Sequence, residues 1–325
     1  MTQLTIVMYH YVRPIQASRY PEIKGLERSE FEQQVDYVQR WYQTVTAQQV
    51  IDATRGGPPL PRNAILLTFD DGYSDHFQTV FPVLHNRGLH GCFFPPVHCI
   101  EQRCVLDVNK IHYILAACKD KARLARTVDG AVERSRGDFL LEPLQHYKSN
   151  YEVPGKWDSP EVNYVKKMLQ MGLPEALRNR IVDELFREFV DVPEHALADE
   201  LYATKEQLRC MVRAGMTVGS HGAGHHWLNK LDAERQRHEV EESLRFLQEL
   251  GVSSSDWVMC YPHGAWDEKL VSLLRRLGCG LGLTTTVGLA NLNEADPLLL
   301  PRINTNDLPK VAEAPPSVWT QAVLG

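Results

Sequence analysis

The feature that most constrains the fold of this chain is an alternation of short apolar runs with amphipathic, helix-like segments. Leu4–Tyr9 and Ala64–Phe69 are rich in β-branched and aliphatic residues, as buried strands are. Between them, apolar residues recur at helical spacing, and we expect Ser29 to open this helix with Glu32 as its capping-box partner. Strand, helix and strand in this order predict an α/β fold with a mostly parallel sheet.

The alternation stops at about residue 96 and resumes after residue 203. The stretch between these points carries long charged amphipathic segments, such as 108–128 and 164–189, with several prolines. We interpret 96–203 as a helical insertion within a single catalytic α/β domain that spans 1–325. A length of 325 residues suits one large α/β domain or two ordinary ones.

Charge and hydropathy exclude several classes of protein. The net charge is −6 and there is no long basic run, so we expect no nucleic-acid partner. No run approaches the roughly 18 uninterrupted apolar residues of a membrane helix, so we expect no stable membrane insertion.

Met1–Tyr11 does not resemble a signal peptide, and seven scattered cysteines suit a reducing compartment. We therefore expect a cytoplasmic protein, and its oligomeric state stays open.

Two adjacent carboxylates, Asp70 and Asp71, follow the second predicted strand within the sequence TFDDG. Strand ends are where α/β folds assemble active sites. Because neighbouring carboxylates repel unless a cation compensates them, one of the pair is suited to bind a metal while the other serves as a base. Taken alone, Asp-Asp-Gly is more often a solvated turn, since Asp and Gly dominate turns.

A second motif, SHGAGHH, follows a later apolar strand and contains His221 and His225. Gly222 and Gly224 disfavour a regular helix, so we expect the two imidazoles to converge from a loop. Two imidazoles and one carboxylate with open positions are a common site for Zn²⁺ or another divalent metal that activates water. Together with the aspartate pair, the motif predicts a metal centre.

TFDDG followed by SHxxxH resembles the polysaccharide deacetylase family with the NodB homology domain, carbohydrate esterase family 4. YHYV at 9–12, YPHG at 261–264 and LPRI at 300–303 resemble further positions of its exopolysaccharide and surface-polysaccharide branch. The resemblance covers about 1–95 and 203–303. It implies a distorted (β/α) barrel with fewer than eight strands and a metal-dependent N-deacetylase, an amidohydrolase that removes an acetyl group from an N-acetylated amino sugar.

The resemblance also implies roles for individual residues. Asp71, His221 and His225 match the metal ligands of the family, and Asp70 matches its general base. The implied cofactor is a divalent metal, Zn²⁺ first, with Co²⁺, Ni²⁺ and Mn²⁺ as alternatives. The implied partner is an N-acetylated sugar or glycan substrate.

Two positions depart from the pattern of the family. Its third motif often carries an Arg where this chain has Cys260, and its last motif often supplies a His that LPRI lacks. We therefore predict that Arg302 replaces the missing Arg as the partner of Asp70, since a guanidinium suits a carboxylate. We predict His10 as the general acid, because branches of the family that begin with a similar Tyr-His are thought to use it so.

Three further residues are candidates for contact with the substrate. A backbone N–H near Tyr261 is expected to bind the oxyanion, as the matching loop of the family does. His263 lies in the same loop and is a reserve acid. Trp227 and Tyr261 are candidates for stacking on a sugar face, although an aromatic residue near a turn more often packs in the core.

The sequence leaves three functions open. The first is N-deacetylation of a free, nucleotide-linked or lipid-linked amino sugar during surface-polysaccharide biosynthesis. The second keeps the metal site but acts on a formyl or another small acyl amide. The third is a catalytically silent glycan-binding barrel, which the two departures suggest. The presence of Asp70 beside a complete Asp-His-His set favours an enzyme, because a binding module does not need the free carboxylate.

Overall fold

The computed structural model describes residues 3–155 and 158–324. Its strands are β1 (Gln3–Tyr9), β2 (Gln43–Thr44), β3 (Ala64–Asp70), β4 (Cys92–Phe94), β5 (Thr217–Val218), β6 (Trp257–Cys260), β7 (Cys279–Leu283), β8 (Ala290–Asn291) and β9 (Ile303–Asn304). Its α-helices are α1 (Arg28–Trp41), α2 (Ala47–Thr54), α3 (Phe81–Asn86), α4 (Val97–Glu101), α5 (Asp107–Ala117), α6 (Lys121–Arg134), α7 (Leu144–Tyr151), α8 (Pro160–Lys167), α9 (Glu175–Phe189), α10 (Glu194–Leu201), α11 (Lys205–Arg213), α12 (Ala233–Glu249), α13 (Glu268–Arg276) and α14 (Val318–Leu324).

The sheet is mixed but mostly parallel. Strand β1 pairs in parallel with β3 and β9, β3 pairs in parallel with β2 and β4, and β4 with β5, whereas β8 is antiparallel to β1. Strands β6 and β7 form a second parallel pair. Parallel bridges between Ser220 and Met259 and between Leu283 and Leu300 continue the pairing from one sheet to the other. The α/β fold class is thus confirmed, and the order is consistent with a distorted barrel.

The two faces of β1 and β3 are buried in different parts of the core. Leu4, Ile6 and Leu66 pack with apolar residues of β4, β6 and β7. Val7 and Phe69 face the other way and pack with residues of α1 and α11. Burial on both faces explains why these strands are continuous apolar runs rather than alternating ones.

The described chain divides into two compact units. Unit 1 contains the residues up to Pro14, Gly25–Cys104 and those from Ala198 onward, and it holds every strand given above. Unit 2 contains Ile15–Lys24 and Val105–Leu197. Unit 2 is helical and lies largely within the stretch 96–203 that we interpret as an insertion, although α4 groups with unit 1. A single catalytic domain over 1–325 remains a prediction.

Unit 2 has an apolar core and a buried lysine paired with two exposed carboxylates. Helices α5 and α9 pack together, and the Nζ atom of Lys110 lies 2.7 Å from a carboxylate oxygen of Asp183 and 3.0 Å from one of Glu194. The Lys110 side chain is only 8% exposed, so these carboxylates compensate an otherwise isolated buried charge. Within the described residues, no helix combines the length and apolar character needed to cross a bilayer.

Some predicted helix boundaries were wrong. Helix α1 begins at Arg28 after Glu27, and the side chain of Glu30 accepts a hydrogen bond from the Glu27 N–H, so Ser29 and Glu32 are not its capping pair. Just before the helix, the N–H of Leu26 donates a hydrogen bond to the carbonyl oxygen of Tyr11. The segments 108–128 and 164–189 are each broken. Asp120 caps α6, and α9 begins after Pro174.

Candidate active site

The residues predicted to carry chemistry lie at the carboxyl ends of neighbouring strands in unit 1. His10 follows β1, Asp70 ends β3 with Asp71 directly after it, and His221 and His225 lie in the loop after β5. Parallel pairing from β1 through β3 and β4 to β5 brings these ends to one edge of the sheet. This is the edge at which α/β folds bind their substrates.

Asp71, His221 and His225 form a compact group of metal-binding side chains. The Nε2 atoms of both histidines lie 3.4 Å from Oδ1 of Asp71, and the three side chains are between 3% and 7% exposed. Ligands held at about 2.0 to 2.2 Å in a tetrahedral site lie about 3.3 to 3.6 Å from one another. The spacing and the donor set therefore fit Zn²⁺ or another divalent transition metal.

Hydrogen bonds orient two of these ligands. Nδ1 of His221 lies 2.7 Å from the carbonyl oxygen of Cys260. A proton on Nδ1 makes Nε2, the nitrogen that faces Asp71, the atom available to bind a metal. The hydroxyl of Tyr73 donates to Oδ2 of Asp71 at 2.6 Å, so Oδ1 is the oxygen that faces the histidines.

The backbone at two of the ligands is strained. Asp71 has a φ of 71° and His225 a φ of 58°, in the left-handed region that non-glycine residues rarely occupy. Gly222, which begins the turn between the two histidines, has a φ of 71° at no such cost. Strain of this kind is concentrated at functional sites, where the surrounding structure maintains it.

The charges of the group depend on one another. Burial raises the pKa of Asp71, but the hydrogen bond with His221 and the charge of His225 hold this pKa well below its usual value. Burial lowers the pKa of His225, and His263 and His221 lower it further. Burial also lowers the pKa of His221, but its contacts with Cys260 and Asp71 outweigh burial and raise it. Asp71 is thus ionised and His225 neutral, the forms that bind a metal, whereas binding at His221 releases a proton.

Asp70 is paired with Arg302 beside the ligand group. Nη1 and Nη2 of Arg302 donate to Oδ1 and Oδ2 of Asp70, each at 2.9 Å, and both side chains are almost fully buried. The guanidinium also donates to the carbonyl oxygen of Thr284 at 2.8 Å and to Oγ1 of Thr68 at 3.1 Å. Burial raises the pKa of Asp70, but the charges of Arg302 and of neighbouring histidines leave it below its usual value.

His10 lies on the open side of Asp70. Its Nε2 atom is 4.0 Å from Oδ2 of Asp70, and its side chain is 41% exposed. Its carbonyl oxygen accepts a hydrogen bond from Nε2 of His76 at 3.0 Å, which fixes the backbone after β1. The structure therefore places the predicted acid beside the predicted base, with access to solvent.

The structure contradicts the role given to Tyr261 itself. Its N–H donates to the carbonyl oxygen of Leu283 at 3.1 Å, and its hydroxyl donates to that of Leu298 at 2.9 Å. The side chain is completely buried. Neither its backbone N–H nor its ring is therefore available to a substrate, because the N–H bonds to the end of β7 and the buried hydroxyl bonds to the segment after β8.

His263 and Trp227, in contrast, form one wall beside the metal-binding group. The ring of His263 lies 4.5 Å from the ring of His225 and stacks on Trp227 with an interplanar angle of 8°. Both side chains are partly exposed. They are therefore accessible to a ligand, and their contact with a substrate remains a prediction.

A second group of donor atoms, formed by Asp70, His221 and Cys260, shares this region. Both oxygens of Asp70 already accept hydrogen bonds from Arg302, and a guanidinium repels a cation. Among the described residues, the group of Asp71, His221 and His225 is therefore the better metal site.

Sequence reasoning missed two residues that the structure adds to the site. Tyr73 directly follows the TFDDG motif, and its position two residues after Asp71 could have suggested the hydrogen bond between them. Glu239 accepts hydrogen bonds from the loop that carries the histidines. It lies in a helix rich in charged residues, where nothing in the sequence distinguishes it from its exposed neighbours.

The fold and the site together define a class of α/β protein in which a group of candidate metal ligands and a separate buried carboxylate lie at one edge of a mostly parallel sheet. The family model described as Polysaccharide deacetylase matches residues 176–281. The matched segment contains His221 and His225, so this similarity supports the resemblance that the motifs predicted.

Individual relatives match this chain over different lengths. The poly-beta-1,6-N-acetyl-D-glucosamine N-deacetylase of Escherichia coli (strain K12) is 54% identical over 43 residues, which are 13% of this chain and only 6% of that protein. The structure of the Streptococcus pyogenes deacetylase PplD in complex with acetate matches with a TM-score of 0.59 at 16% identity, over 96% of this chain and 95% of that chain. IcaB from Ammonifex degensii matches with a TM-score of 0.53 at 21% identity, over 100% and 97%. Both structures share the fold.

Proposed function

We propose that this protein is a metal-dependent N-deacetylase that hydrolyses the acetamido group of an amino sugar in surface-polysaccharide biosynthesis. The observation that carries the proposal is that two groups of side chains lie together at one edge of the sheet. One is the metal-binding group of Asp71, His221 and His225, and the other is the buried Asp70–Arg302 pair.

The residues divide the work of hydrolysis between them. Asp71, His221 and His225 would hold the metal, and a bound divalent metal supplies Lewis acidity toward the amide carbonyl and toward water. Asp70 accepts the proton of the attacking water, and Arg302 keeps it ionised and correctly oriented for this step. His10 donates a proton to the departing amine, since it lies beside Asp70 on the solvent side.

We base the proposed substrate class on the chemistry of the site and on the short match to the Escherichia coli relative. We propose a poly-N-acetylglucosamine chain, or a precursor of one, because the Escherichia coli relative is named for poly-beta-1,6-N-acetyl-D-glucosamine. The stacked pair of Trp227 and His263 offers a flat surface for a sugar ring at the same site. Zn²⁺ is the metal we propose, because two imidazoles and one carboxylate form a common zinc donor set.

The test is acetate release from N-acetylglucosamine, its nucleotide sugar and short β-1,6-linked oligomers, with metal-loaded wild type and Asp70→Asn. We expect release that disappears in the variant while its metal stays bound, because Asp70 is not one of the ligands. Release from the nucleotide sugar alone would support a cytoplasmic precursor as substrate, as proposed from the sequence.

An absence of acetate release by a folded, metal-loaded wild type would contradict the proposal. Release of formate from N-formylated sugars would then support a different acyl group. Glycan binding without hydrolysis would support a silent barrel. One reason for considering that function was the absence of an Arg at position 260, but Arg302 supplies a guanidinium to Asp70 in its place.

A further inference from the structure

The short loop between the two candidate histidine ligands has backbone N–H groups that need hydrogen-bond acceptors. It runs through Gly222, Ala223 and Gly224, and Ala223 is completely buried. Buried N–H groups outside a helix or strand must find acceptors elsewhere, because leaving them unpaired costs free energy. The residues that supply these acceptors determine where the loop, and hence each imidazole, lies.

Glu239 supplies the acceptor for two of these groups. Its Oε2 atom accepts hydrogen bonds from the N–H of Ala223 at 3.0 Å and from the N–H of Gly224 at 2.9 Å. The side chain is only 8% exposed, and its Oε1 atom lies 3.9 Å from Nε2 of His226. Hydrogen bonds to an ionised acceptor are about twice as strong as neutral ones, so a carboxylate is a firm anchor for this loop.

The opposite side of the loop is also attached to α12. The N–H of His98 donates to the carbonyl oxygen of Ala223 at 3.0 Å. Nε2 of the same histidine lies 3.1 Å from Oε1 of Glu242, which is one turn along α12 from Glu239. The loop is therefore held from both sides by groups that this one helix fixes.

We propose that Glu239 is a positioning residue of the metal centre, whose carboxylate fixes the loop between His221 and His225 and so the separation of their Nε2 atoms. The inference rests on the proposed function, because it presupposes that these histidines bind a metal. Outer contacts that orient metal ligands typically contribute about 10- to 100-fold in affinity. Glu239 accepts hydrogen bonds from the backbone N–H groups of the loop, so its effect passes through that backbone.

The experiment measures metal binding rather than turnover. Apparent dissociation constants for Zn²⁺ are obtained by competition with a chromophoric chelator for wild type, Glu239→Gln and Glu239→Ala. Glu241→Gln is the matched control, because it removes one charge from the same helix at a side chain that is 42% exposed and faces Arg237. The visible spectrum of the Co²⁺ form reports ligand geometry, and thermal unfolding of the metal-free proteins reports folding.

We expect an ordered series of affinities. Glu239→Ala should bind Zn²⁺ about 10- to 100-fold more weakly than wild type and should change the Co²⁺ spectrum. Glu239→Gln keeps an acceptor oxygen but not its charge, so we expect a loss of about three- to tenfold with a spectrum close to wild type. Glu241→Gln should match wild type in both measurements.

Two outcomes separate the failure of this inference from the failure of the proposed function. Wild type that binds Zn²⁺ while both Glu239 variants bind it equally well would overturn the role of Glu239 alone. Wild type without a stoichiometric metal would overturn the proposed function. If Glu239→Ala does not fold, Glu239→Gln decides, and wild-type affinity in that variant overturns the inference.

Discussion

Arg302 forms two parallel hydrogen bonds with Asp70, each 2.9 Å long, although 232 residues separate the two in sequence. The sheet explains their meeting, because β9 pairs with β1 directly after Arg302 and β1 pairs with the strand that ends at Asp70. Both charges are buried, and each would be costly without the other. The pair is therefore a built feature of the site rather than an incidental surface contact.

The first prediction concerns the charge of Arg302. In Arg302→Gln, burial would raise the pKa of Asp70 without the opposing guanidinium, so the base would take up a proton at a higher pH than in wild type. We expect the acidic limb of the pH–rate profile to move upward by about one to three pH units. Activity is measured as acetate release between pH 4 and about 9, a range that spans the usual carboxyl and imidazole values.

Arg302→Lys is the matched variant, because it keeps the charge but offers a single ammonium in place of two parallel N–H groups. We expect its acidic limb to lie between those of wild type and Arg302→Gln. A profile in Arg302→Gln that superimposes on that of wild type would show that Arg302 does not set the pKa of Asp70.

The second prediction concerns His10. In His10→Ala, we expect the turnover number to fall by about 10²- to 10⁴-fold, because a positioned general acid contributes this much. The metal content should be unchanged, since His10 faces Asp70 and is not a member of the group formed by Asp71 and the two histidines. Acetate release and bound metal are measured on the same sample.

His263→Ala is the comparison, because His263 was the reserve acid and lies against His225. A large loss in His263→Ala with near wild-type turnover in His10→Ala would transfer the acid role to His263. Loss of metal in His10→Ala would instead show that His10 supports the ligand group.

The third prediction concerns Tyr73. Tyr73→Phe removes the hydroxyl that donates to Oδ2 of Asp71 but keeps the ring that stacks on Tyr11 at 4.2 Å. Without this bond the carboxylate is free to rotate, so we expect metal affinity to fall by about 10-fold or more. Tyr11→Phe is the control, because it keeps the same ring stack. Equal affinity for Zn²⁺ in Tyr73→Phe and wild type would show that the hydroxyl does not orient the ligand.

The parts of the site that the sequence predicted are those that local patterns encode. Asp70, Asp71, His221 and His225 follow apolar strands directly, and strand ends meet at one edge of a parallel sheet. This prediction does not require knowledge of the strand register or of the barrel. The sequence could therefore predict which side chains form the site, but not the distances between them.

Features that depend on tertiary packing could not be read in the same way. Tyr261 directly follows its strand just as Asp71 does, yet its N–H bonds to β7 and its hydroxyl to the segment beyond β7. Glu239 lies 14 residues after His225 in a helix whose charged residues look alike in sequence. Helix α1 begins at Arg28, two residues after a bridge between Val12 and Leu26 that the helical periodicity does not contain.

The last prediction concerns removal of the metal. A ligand that binds only the folded state at 100 times its dissociation constant stabilises it by about 2.7 kcal/mol, so chelation should lower the unfolding temperature of wild type. Thermal unfolding is measured by circular dichroism with Zn²⁺ present and with a chelator in excess. Asp70→Asn should keep this difference, because all three ligands remain, whereas Asp71→Ala should lose it because one is removed. A difference that survives in Asp71→Ala would place the stabilising metal somewhere other than this group.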